Sequence, residues 1–372
     1  ADQARLRAFL NQYGIGYRPY YLVNALEVDA GPIVGAYLSW RPEVDRVLKS
    51  PHLRPLPEPK PIGVGHAEAP NAPVWSVTSI GADRVWSELG VTGSGIVVGQ
   101  SDSGVQGSHP ALIEGYRGRN GDDNYNWLDP WNHTTSPTDI DGHGTFTLGS
   151  AVGRGGIGVA PDAEWFACVN LARNLGNPAY YLDCMQFMLA PYPQQGDPFK
   201  DGDPSLAAYV TNNSWGCPPY EGCDPHTLQP AVDAMRAAGI FVATVAGNAG
   251  PRCGSVSDPI AIYQESFAVG AVDKRGNVAQ FSSRGPVEVD GSGRVKPDVV
   301  APGVDVLSSY PNSSYTVESG TSAASPHVAG VVALMWSAQP KLKGDIETTE
   351  RILRETARPY EGRREGCFQG NV

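Results

Sequence analysis

The sequence lacks the features of membrane proteins and of nucleic-acid-binding proteins. None of its apolar runs approaches the roughly 18 residues that a membrane-spanning helix requires, so no membrane partner is expected. Lys and Arg nowhere cluster and the formal net charge is −11 at pH 7, so the chain offers no basic surface for nucleic-acid phosphates. It begins at Ala1 with neither Met nor an apolar leader, as expected of an export product after leader removal or of a shortened chain.

The paired C-x-x-C spacing of zinc sites is also absent, although the sequence contains 6 cysteines. An even number of cysteines without metal-site spacing favours disulfides. Cys217 and Cys223 enclose a short loop rich in Pro and Gly, and they are the first pair to be predicted. A native disulfide typically contributes about 2 to 4 kcal/mol to stability. Because disulfides persist in oxidising compartments, we expect a secreted, extracellular protein.

The chain is long enough for one large domain and a small accessory unit, since it has 372 residues of which 41% are hydrophobic. Prolines and glycines crowd residues 55–73, which is typical of a linker rather than of a packed element. We therefore divide the chain into a small α+β unit with its linker, residues 1–70, and a larger domain, residues 71–372.

Hydrophobic patterns predict different architectures for these two parts. In the small unit we predict a helix over 4–13, a strand over 17–28 and a helical region over 33–50 that Pro42 interrupts. In the larger domain, short β-branched runs alternate with helical stretches, at 95–100, 143–152, 240–245, 267–272 and 322–338. Strands that alternate with helices at this spacing predict an α/β fold with a doubly wound, mostly parallel sheet.

Two segments place an acid and an imidazole where each could act in chemistry. A predicted strand ends on Asp102, and the carboxyl end of a strand is a common place for a functional group. His143 opens a helix between Gly142 and Gly144, which leave room for a substrate or another side chain to approach. Taken singly, Asp102 could be a turn-capping residue and His143 a structural one.

A third segment, Gly320-Thr321-Ser322-Ala323-Ala324-Ser325-Pro326, places a serine at a junction of turn and helix. Small neighbours expose its hydroxyl. An ordinary serine N-cap would explain one hydroxyl, but neither the small residues around it nor the other two segments. The order Asp, His, Ser along the chain is one of the known orders of a catalytic triad.

Together these segments resemble the subtilisin family of serine peptidases over about residues 75–358, and the stretches 168–191, 212–217 and 250–253 are similar in particular to bacillopeptidase F-like subtilases. The resemblance implies that Asp102, His143 and Ser322 form a catalytic triad that works through an acyl-enzyme. In the segment 245–250 it implies that Asn248 donates to the oxyanion. It also implies a substrate-pairing backbone at Ser214, Trp215 and Gly216, and a specificity-pocket wall at Ala246 and Gly247.

The same resemblance bears on partners and cofactors. Residues 1–70 resemble an inhibitory prodomain that lacks its first strand and lies in the cleft, although an unrelated accessory domain remains an alternative. We expect a monomer that takes protein or peptide substrates. The chemistry needs no cofactor, and the family allows structural calcium. Acidic turns at 122–124 and 201–203 could bind it, but solvated turns are the simpler interpretation because neither has EF-hand spacing.

Two other classes of hydrolase would carry different residues at these positions. A sedolisin-type enzyme would carry Glu in place of His143 and Asp in place of Asn248, and an α/β-hydrolase would carry G-x-S-x-G. Neither pattern is present at these positions. The remaining alternative is a prodomain-locked or catalytically silent binding protein with the same fold, which four intact functional residues argue against.

Overall fold

The computed structural model describes residues 3–51, 67–172 and 175–358. Most of the predicted linker and Cys367 lie outside these ranges. The small unit, residues 3–51, consists of α1 (Ala4–Gln12), β1 (Tyr17–Tyr20), β2 (Ala25–Val28) and α2 (Pro32–Leu38).

Two predictions for the small unit were wrong in detail. The predicted strand over 17–28 is an antiparallel hairpin in which Tyr17 pairs with Val28, because a turn separates β1 from β2. The predicted helical region over 33–50 ends at Leu38. Pro42 has no backbone N–H and restricts the residue before it, so the helix stops short of it and does not resume.

The larger domain contains helices and strands in alternation. Its helices are α3 (Trp75–Ser79), α4 (Ala82–Leu89), α5 (His143–Val152), α6 (Pro178–Leu189), α7 (Gln229–Ala237), α8 (Thr321–Ala338) and α9 (Ile346–Thr356). Its strands are β3 (Val97–Asp102), β4 (Trp127–Leu128), β5 (Glu164–Val169), β6 (Val210–Asn213), β7 (Phe241–Val245), β8 (Phe267–Val272), β9 (Val299–Pro302), β10 (Val306–Tyr310) and β11 (Ser314–Glu318).

Strands β3 to β9 form a parallel sheet among the described residues, in the order β4-β5-β3-β6-β7-β8-β9. Strands β10 and β11 form a separate antiparallel hairpin. The prediction of a doubly wound, mostly parallel α/β sheet is therefore confirmed.

Helices cover both faces of this sheet, which explains why β8, Phe267–Val272, is an unbroken run of apolar and small residues. All residues of β7 and β8 are buried. Along β3, Val98 packs with the core that includes α5 and α8, whereas Val97 packs with the core that includes α6 and α7. Successive side chains of a strand point to opposite faces, so one strand contributes to both cores.

Disulfides are present in the larger domain, both between a strand and a helix and within a loop. The predicted Cys217–Cys223 disulfide is present, and Cys168 of β5 is bonded to Cys184 of α6. Cys253 is disulfide-bonded as well. Within the ranges that the structure describes, no helix is both long enough and apolar enough to span a membrane.

The topology places several chain segments at one edge of the sheet. The strands β3, β6 and β7 are neighbours and run in the same direction, so their carboxyl ends meet there. Residues that follow these strands, and the first residues of helices that begin at this edge, are where an open α/β sheet binds its ligands.

Candidate active site

Asp102 is the last residue of β3, and its side chain is fully buried. Its Oδ1 accepts a hydrogen bond from the backbone N–H of Ser103 and lies 2.7 Å from Nδ1 of His143. The hydroxyl of Thr147, one turn further along α5, donates to Oδ2 at 3.3 Å. These contacts fix both oxygens of the carboxylate, and they orient the imidazole so that Nδ1 carries the proton that points at Asp102.

His143 is the first residue of α5, and two glycines let it approach β3. Gly142 has φ of 101°, in the left-handed region that favours glycine. A Cβ on Gly144 would lie 2.0 Å from the carbonyl oxygen of Gly104, so any side chain there would push α5 away from the segment that follows Asp102. The histidine side chain is 17% exposed, which leaves its other edge open towards the cleft.

Asp139 is a buried residue that the sequence analysis did not single out, and it holds this arrangement together. Its Oδ1 accepts hydrogen bonds from the Ser103 hydroxyl and from the backbone N–H groups of Asp141 and Gly142. Its Oδ2 accepts from the N–H and the hydroxyl of Thr145. Asp139 therefore ties the residue after Asp102 to the turn and first helical residues around His143. The signal available in the sequence was an Asp shortly before a helix start.

The electrostatic surroundings of His143 favour its protonated form. Burial by itself lowers the pKa of the imidazole, but the Asp102 carboxylate, assisted by Glu318 and Asp141, outweighs burial and raises the pKa to about 9. Burial raises the pKa of Glu318 and of Asp141 in turn, and each is affected by the other carboxylates of this group.

We expect the raised pKa of His143 to be visible in the dependence of kcat/KM on pH. A histidine that accepts a proton must be neutral, so kcat/KM is expected to rise as the pH is raised through about 9. Glu318→Gln removes one of the carboxylates that stabilise the protonated ring, and it should move the midpoint to lower pH. Initial rates on a peptide substrate between pH 6 and 11 measure both profiles. A plateau already reached at pH 7, or an unchanged midpoint in the variant, would contradict the assignment.

Ser322 lies in the first turn of α8, which begins at Thr321. The atoms near Gly320 show what surrounds the hydroxyl of Ser322. The point that a Cβ on Gly320 would occupy is 3.6 Å from Oγ of Ser322, 3.6 Å from its backbone N and 3.7 Å from Nδ2 of Asn248. Two N–H donors from different elements therefore converge beside the serine hydroxyl.

The orientation of the Asn248 amide is set by Thr321. Its Oδ1 accepts hydrogen bonds from the backbone N–H and from the hydroxyl of Thr321, each at 2.9 Å. A backbone N–H can only donate, so the amide oxygen must be the atom on that side. The amide NH₂ is consequently the group that points towards Ser322.

The helices α5 and α8 pack against each other and thereby bring the starts of both helices to the same edge of the sheet. Phe146, three residues after His143, and Ala323, directly after Ser322, belong to one small buried cluster with Val306. The hydroxyl of Ser214 donates to the carbonyl oxygen of Ser322 at 3.2 Å. The structure thus brings Asp102 into contact with His143 and places Asn248 beside Ser322, and the packing of α5 on α8 relates the two pairs.

The predicted substrate-binding residues lie at the same edge. Ser214, Trp215 and Gly216 directly follow β6 and are not part of a strand, while Ala246 and Gly247 directly follow the neighbouring β7. Gly247 has φ of +100°, and a Cβ there would lie 2.9 Å from Oγ of Ser283. The two segments therefore follow neighbouring parallel strands at the same edge of the sheet.

In the part of the chain that the structure describes, no group of three or more His, Cys, Asp or Glu side chains is arranged to hold a metal ion. In the turn at 122–124, Asp122 accepts hydrogen bonds from Asn124, and Asp123 accepts one from Tyr116. Structural calcium remains a prediction of the family resemblance.

Comparisons with known proteins show the family to which this chain belongs. The model of the subtilase family matches residues 93–370. Bacillopeptidase F of Bacillus subtilis (strain 168) is 37% identical over 362 residues, which is 91% of this chain and 24% of that protein. M-protease of Shouchella clausii (strain KSM-K16) is 30% identical over 324 residues, covering 86% of this chain and 70% of the relative. Subtilisin Savinase of Lederbergia lenta is 32% identical over 293 residues, covering 76% and 93%. The chain thus spans about a quarter of bacillopeptidase F.

Proposed function

This chain belongs to the subtilase family of serine peptidases, and from that membership we propose that it is a secreted endopeptidase whose catalytic triad is Asp102, His143 and Ser322. The observation that carries the proposal is the 2.7 Å contact between Oδ1 of Asp102 and Nδ1 of His143, two residues that are 41 positions apart in the chain. In the neutral imidazole this contact holds the single proton on Nδ1, so that Nε2 can accept the proton of a serine hydroxyl.

Each triad residue has a defined part in the proposed reaction. Oγ of Ser322 attacks the carbonyl carbon of the scissile bond while Nε2 of His143 takes the hydroxyl proton. His143 then gives this proton to the leaving amine, and water hydrolyses the acyl-enzyme by the same route in reverse. Asp102 keeps the imidazole in one tautomer and stabilises its charged form.

The developing oxyanion is stabilised by donors that are already in place. Nδ2 of Asn248 and the backbone N–H of Ser322 are the two donors that converge beside the serine hydroxyl. Because Thr321 fixes the amide of Asn248, no reorganisation is needed during the reaction, and such preorganised donors are worth roughly 10²- to 10³-fold each in kcat. The backbone at residues 214–216 is free of strand partners in the described chain and can pair with an extended peptide.

The proposal of an extracellular location is supported by the disulfides. Cys168–Cys184 and Cys217–Cys223 are formed, and disulfides are rare in reducing compartments.

The enzymatic proposal is tested by incubating the protein with casein and, separately, with a sulfonyl fluoride. We expect casein to be cleaved and one equivalent of sulfonyl group to be attached, with peptide mapping that places it on Ser322. If neither happens, even after residues 1–70 are removed by limited proteolysis, the protein is a silent member of the fold rather than a peptidase.

We further propose that the small unit is an inhibitory prodomain that stays docked on the peptidase domain. Its β1 packs against α6, where a guanidinium nitrogen of Arg18 lies 2.5 Å from Oδ2 of the buried Asp183. The backbone N–H of Tyr21 donates to Oε1 of Gln186 at 2.7 Å, and its hydroxyl donates to the Gln186 carbonyl oxygen. At the other end of the unit, exposed Arg46 pairs with Asp224.

The contribution of Arg18 to this docking is testable. Arg18→Ala leaves the Asp183 carboxylate buried without its cation, which is strongly unfavourable, although Arg18 is itself 40% exposed and the cost is reduced accordingly. Undocking relieves this burial, so we expect the freshly purified intact chain to hydrolyse a peptide substrate roughly tenfold faster than the unaltered chain.

Arg46→Ala is the matched control, because it removes an exposed ion pair of the same interface, and such pairs contribute about 0 to 1 kcal/mol. Its initial rate should stay close to that of the unaltered chain. Gel electrophoresis shows that the chains are intact at the time of measurement. Equal rates for both variants would show that Arg18 does not hold the unit in place.

A further inference from the structure

The wall of the cleft next to Gly216 carries a carboxylate that the proposed mechanism does not use. A Cβ on Gly216 would lie 3.1 Å from Cβ of Asp258 and 3.4 Å from its Oδ2, so the Asp258 side chain lies directly against the glycine. The backbone N–H of Cys217 donates to the carbonyl oxygen of Pro259 at 2.7 Å. The segment that carries Asp258 is therefore fastened to the end of the substrate-pairing backbone.

Within the part of the chain that the structure describes, no cation accompanies the partly buried carboxyl group of Asp258. Its only hydrogen bond among residues 3–51, 67–172 and 175–358 comes from the hydroxyl of Ser257 to Oδ1 at 3.1 Å, and no cation within these ranges pairs with it. Burial raises its pKa, which shows that the site disfavours an unpaired carboxylate. A cation that binds beside Asp258 would offset this effect of burial and stabilise the charged carboxylate.

The neighbouring Glu221 differs from Asp258 in the hydrogen bonds that its carboxylate accepts. Its Oε2 accepts a hydrogen bond from the Tyr181 hydroxyl at 2.6 Å, and its Oε1 accepts one from the backbone N–H of Gly176 at 3.1 Å. Both of its oxygens are thus used within the protein. The same Tyr181 hydroxyl lies 3.1 Å from the carbonyl oxygen of Gly216, so Glu221 stands behind the wall while Asp258 lies beside the glycine.

The distance from the reacting serine fits a long side chain. Ser214 touches the backbone of Ser322, and Gly216 follows two residues later, which is about 7 Å of extended chain. Gly216 has no side chain, so nothing from residue 216 itself stands between an aliphatic stem that passes along this backbone and the Asp258 carboxylate. An arginine or lysine can lay its stem along this backbone and bring its charged head to that carboxylate.

We propose that Asp258 makes this enzyme select Arg or Lys as the residue that supplies the carbonyl of the cleaved bond. The inference rests on the proposed peptidase function and names its substrate class. The charged head of the substrate takes the place of the cation that Asp258 lacks within the described chain, and it forms a charge-assisted hydrogen bond with Oδ2.

The test uses peptide amides that differ only in the residue before the scissile bond: Arg, Lys, Leu or Phe. Active sites are first titrated with a sulfonyl fluoride, so that kcat/KM refers to competent enzyme. We expect kcat/KM for Arg and Lys to exceed that for Leu and Phe by about 10- to 100-fold, the range that a hydrogen bond to a charged group supplies. Asp258→Asn should lose this preference, measured within the variant as the ratio of kcat/KM for Arg to kcat/KM for Leu.

Glu221→Gln is the matched control, because it neutralises the acid behind the wall and should keep the preference for Arg and Lys. Competition by benzamidine, a small aromatic cation, is a second measurement that needs no variant, and it should be competitive in the unaltered enzyme. If the enzyme is labelled yet cleaves Leu or Phe as fast as Arg, if Asp258→Asn keeps the preference, or if benzamidine does not compete, Asp258 does not select substrates. An enzyme that is neither labelled nor active overturns the proposed function instead.

Discussion

Ser322→Ala is expected to lower kcat on a peptide substrate by roughly 10⁶-fold, the size of effect known for removal of the nucleophile in serine peptidases of this kind. The physical reason is that the covalent step has no substitute: without Oγ, water must attack the carbonyl directly. The donors of Asn248 and of the residue 322 backbone remain, so a small residual acceleration over the uncatalysed reaction is expected. Sulfonyl fluoride should leave no label on the variant.

The control for this prediction is Ser325→Ala, one turn further along α8. Its hydroxyl lies in the core and donates to Oδ1 of Asn212 at 3.3 Å. Loss of this bond costs stability without touching the reacting atoms, so kcat should stay within about tenfold of the unaltered enzyme. Thermal unfolding of both variants shows whether α8 is intact. A Ser322→Ala protein that still cleaves, or a Ser325→Ala protein that is equally inactive, would refute the role of Ser322.

Asp102→Ala is expected to have the second largest effect, a loss of roughly 10⁴-fold in kcat. Two functions disappear together: the acceptor that fixes Nδ1 of His143 as the protonated nitrogen, and the negative charge that stabilises the imidazolium. The same charge is what raises the pKa of His143 against the effect of burial. The midpoint of the residual pH profile should therefore fall well below 9 in this variant.

Asp141→Asn provides a matched control, since Asp141 acts on the same imidazole but accepts no hydrogen bond from it. It should lower the midpoint slightly and leave kcat nearly unchanged. Steady-state rates across the pH range, together with the NMR titration of His143 in both variants, measure the two effects. An Asp102→Ala enzyme that keeps the activity and midpoint of the unaltered protein would exclude Asp102 from the triad.

The elements around the site were predictable from the sequence because their signals are local. The helix over 143–152 and the strand over 267–272 were predicted with the bounds that the structure shows, because glycines border the helix and an unbroken run of apolar and small residues defines the strand. The prediction of a single strand over residues 17–28 was wrong because an apolar pattern shows where strands form but not where they turn. The turn between β1 and β2 contains no proline or glycine that would have indicated a hairpin. The helical region predicted over 33–50 was too long, because a weak amphipathic pattern does not show at which residue a helix ends.

The sequence by itself determined which reactive groups this protein has, because an acid, an imidazole, a hydroxyl and an amide each stand in a distinctive local motif. The tertiary structure alone decided what surrounds them. Asp139 links two segments because Ser103 and Thr145 both bond to it, and Asp258 lies against Gly216 because the backbone N–H of Cys217 donates to Pro259. Roles of this kind depend on which segments the parallel sheet brings to one edge. No pattern within a single segment shows how close that segment lies to another one in the folded chain.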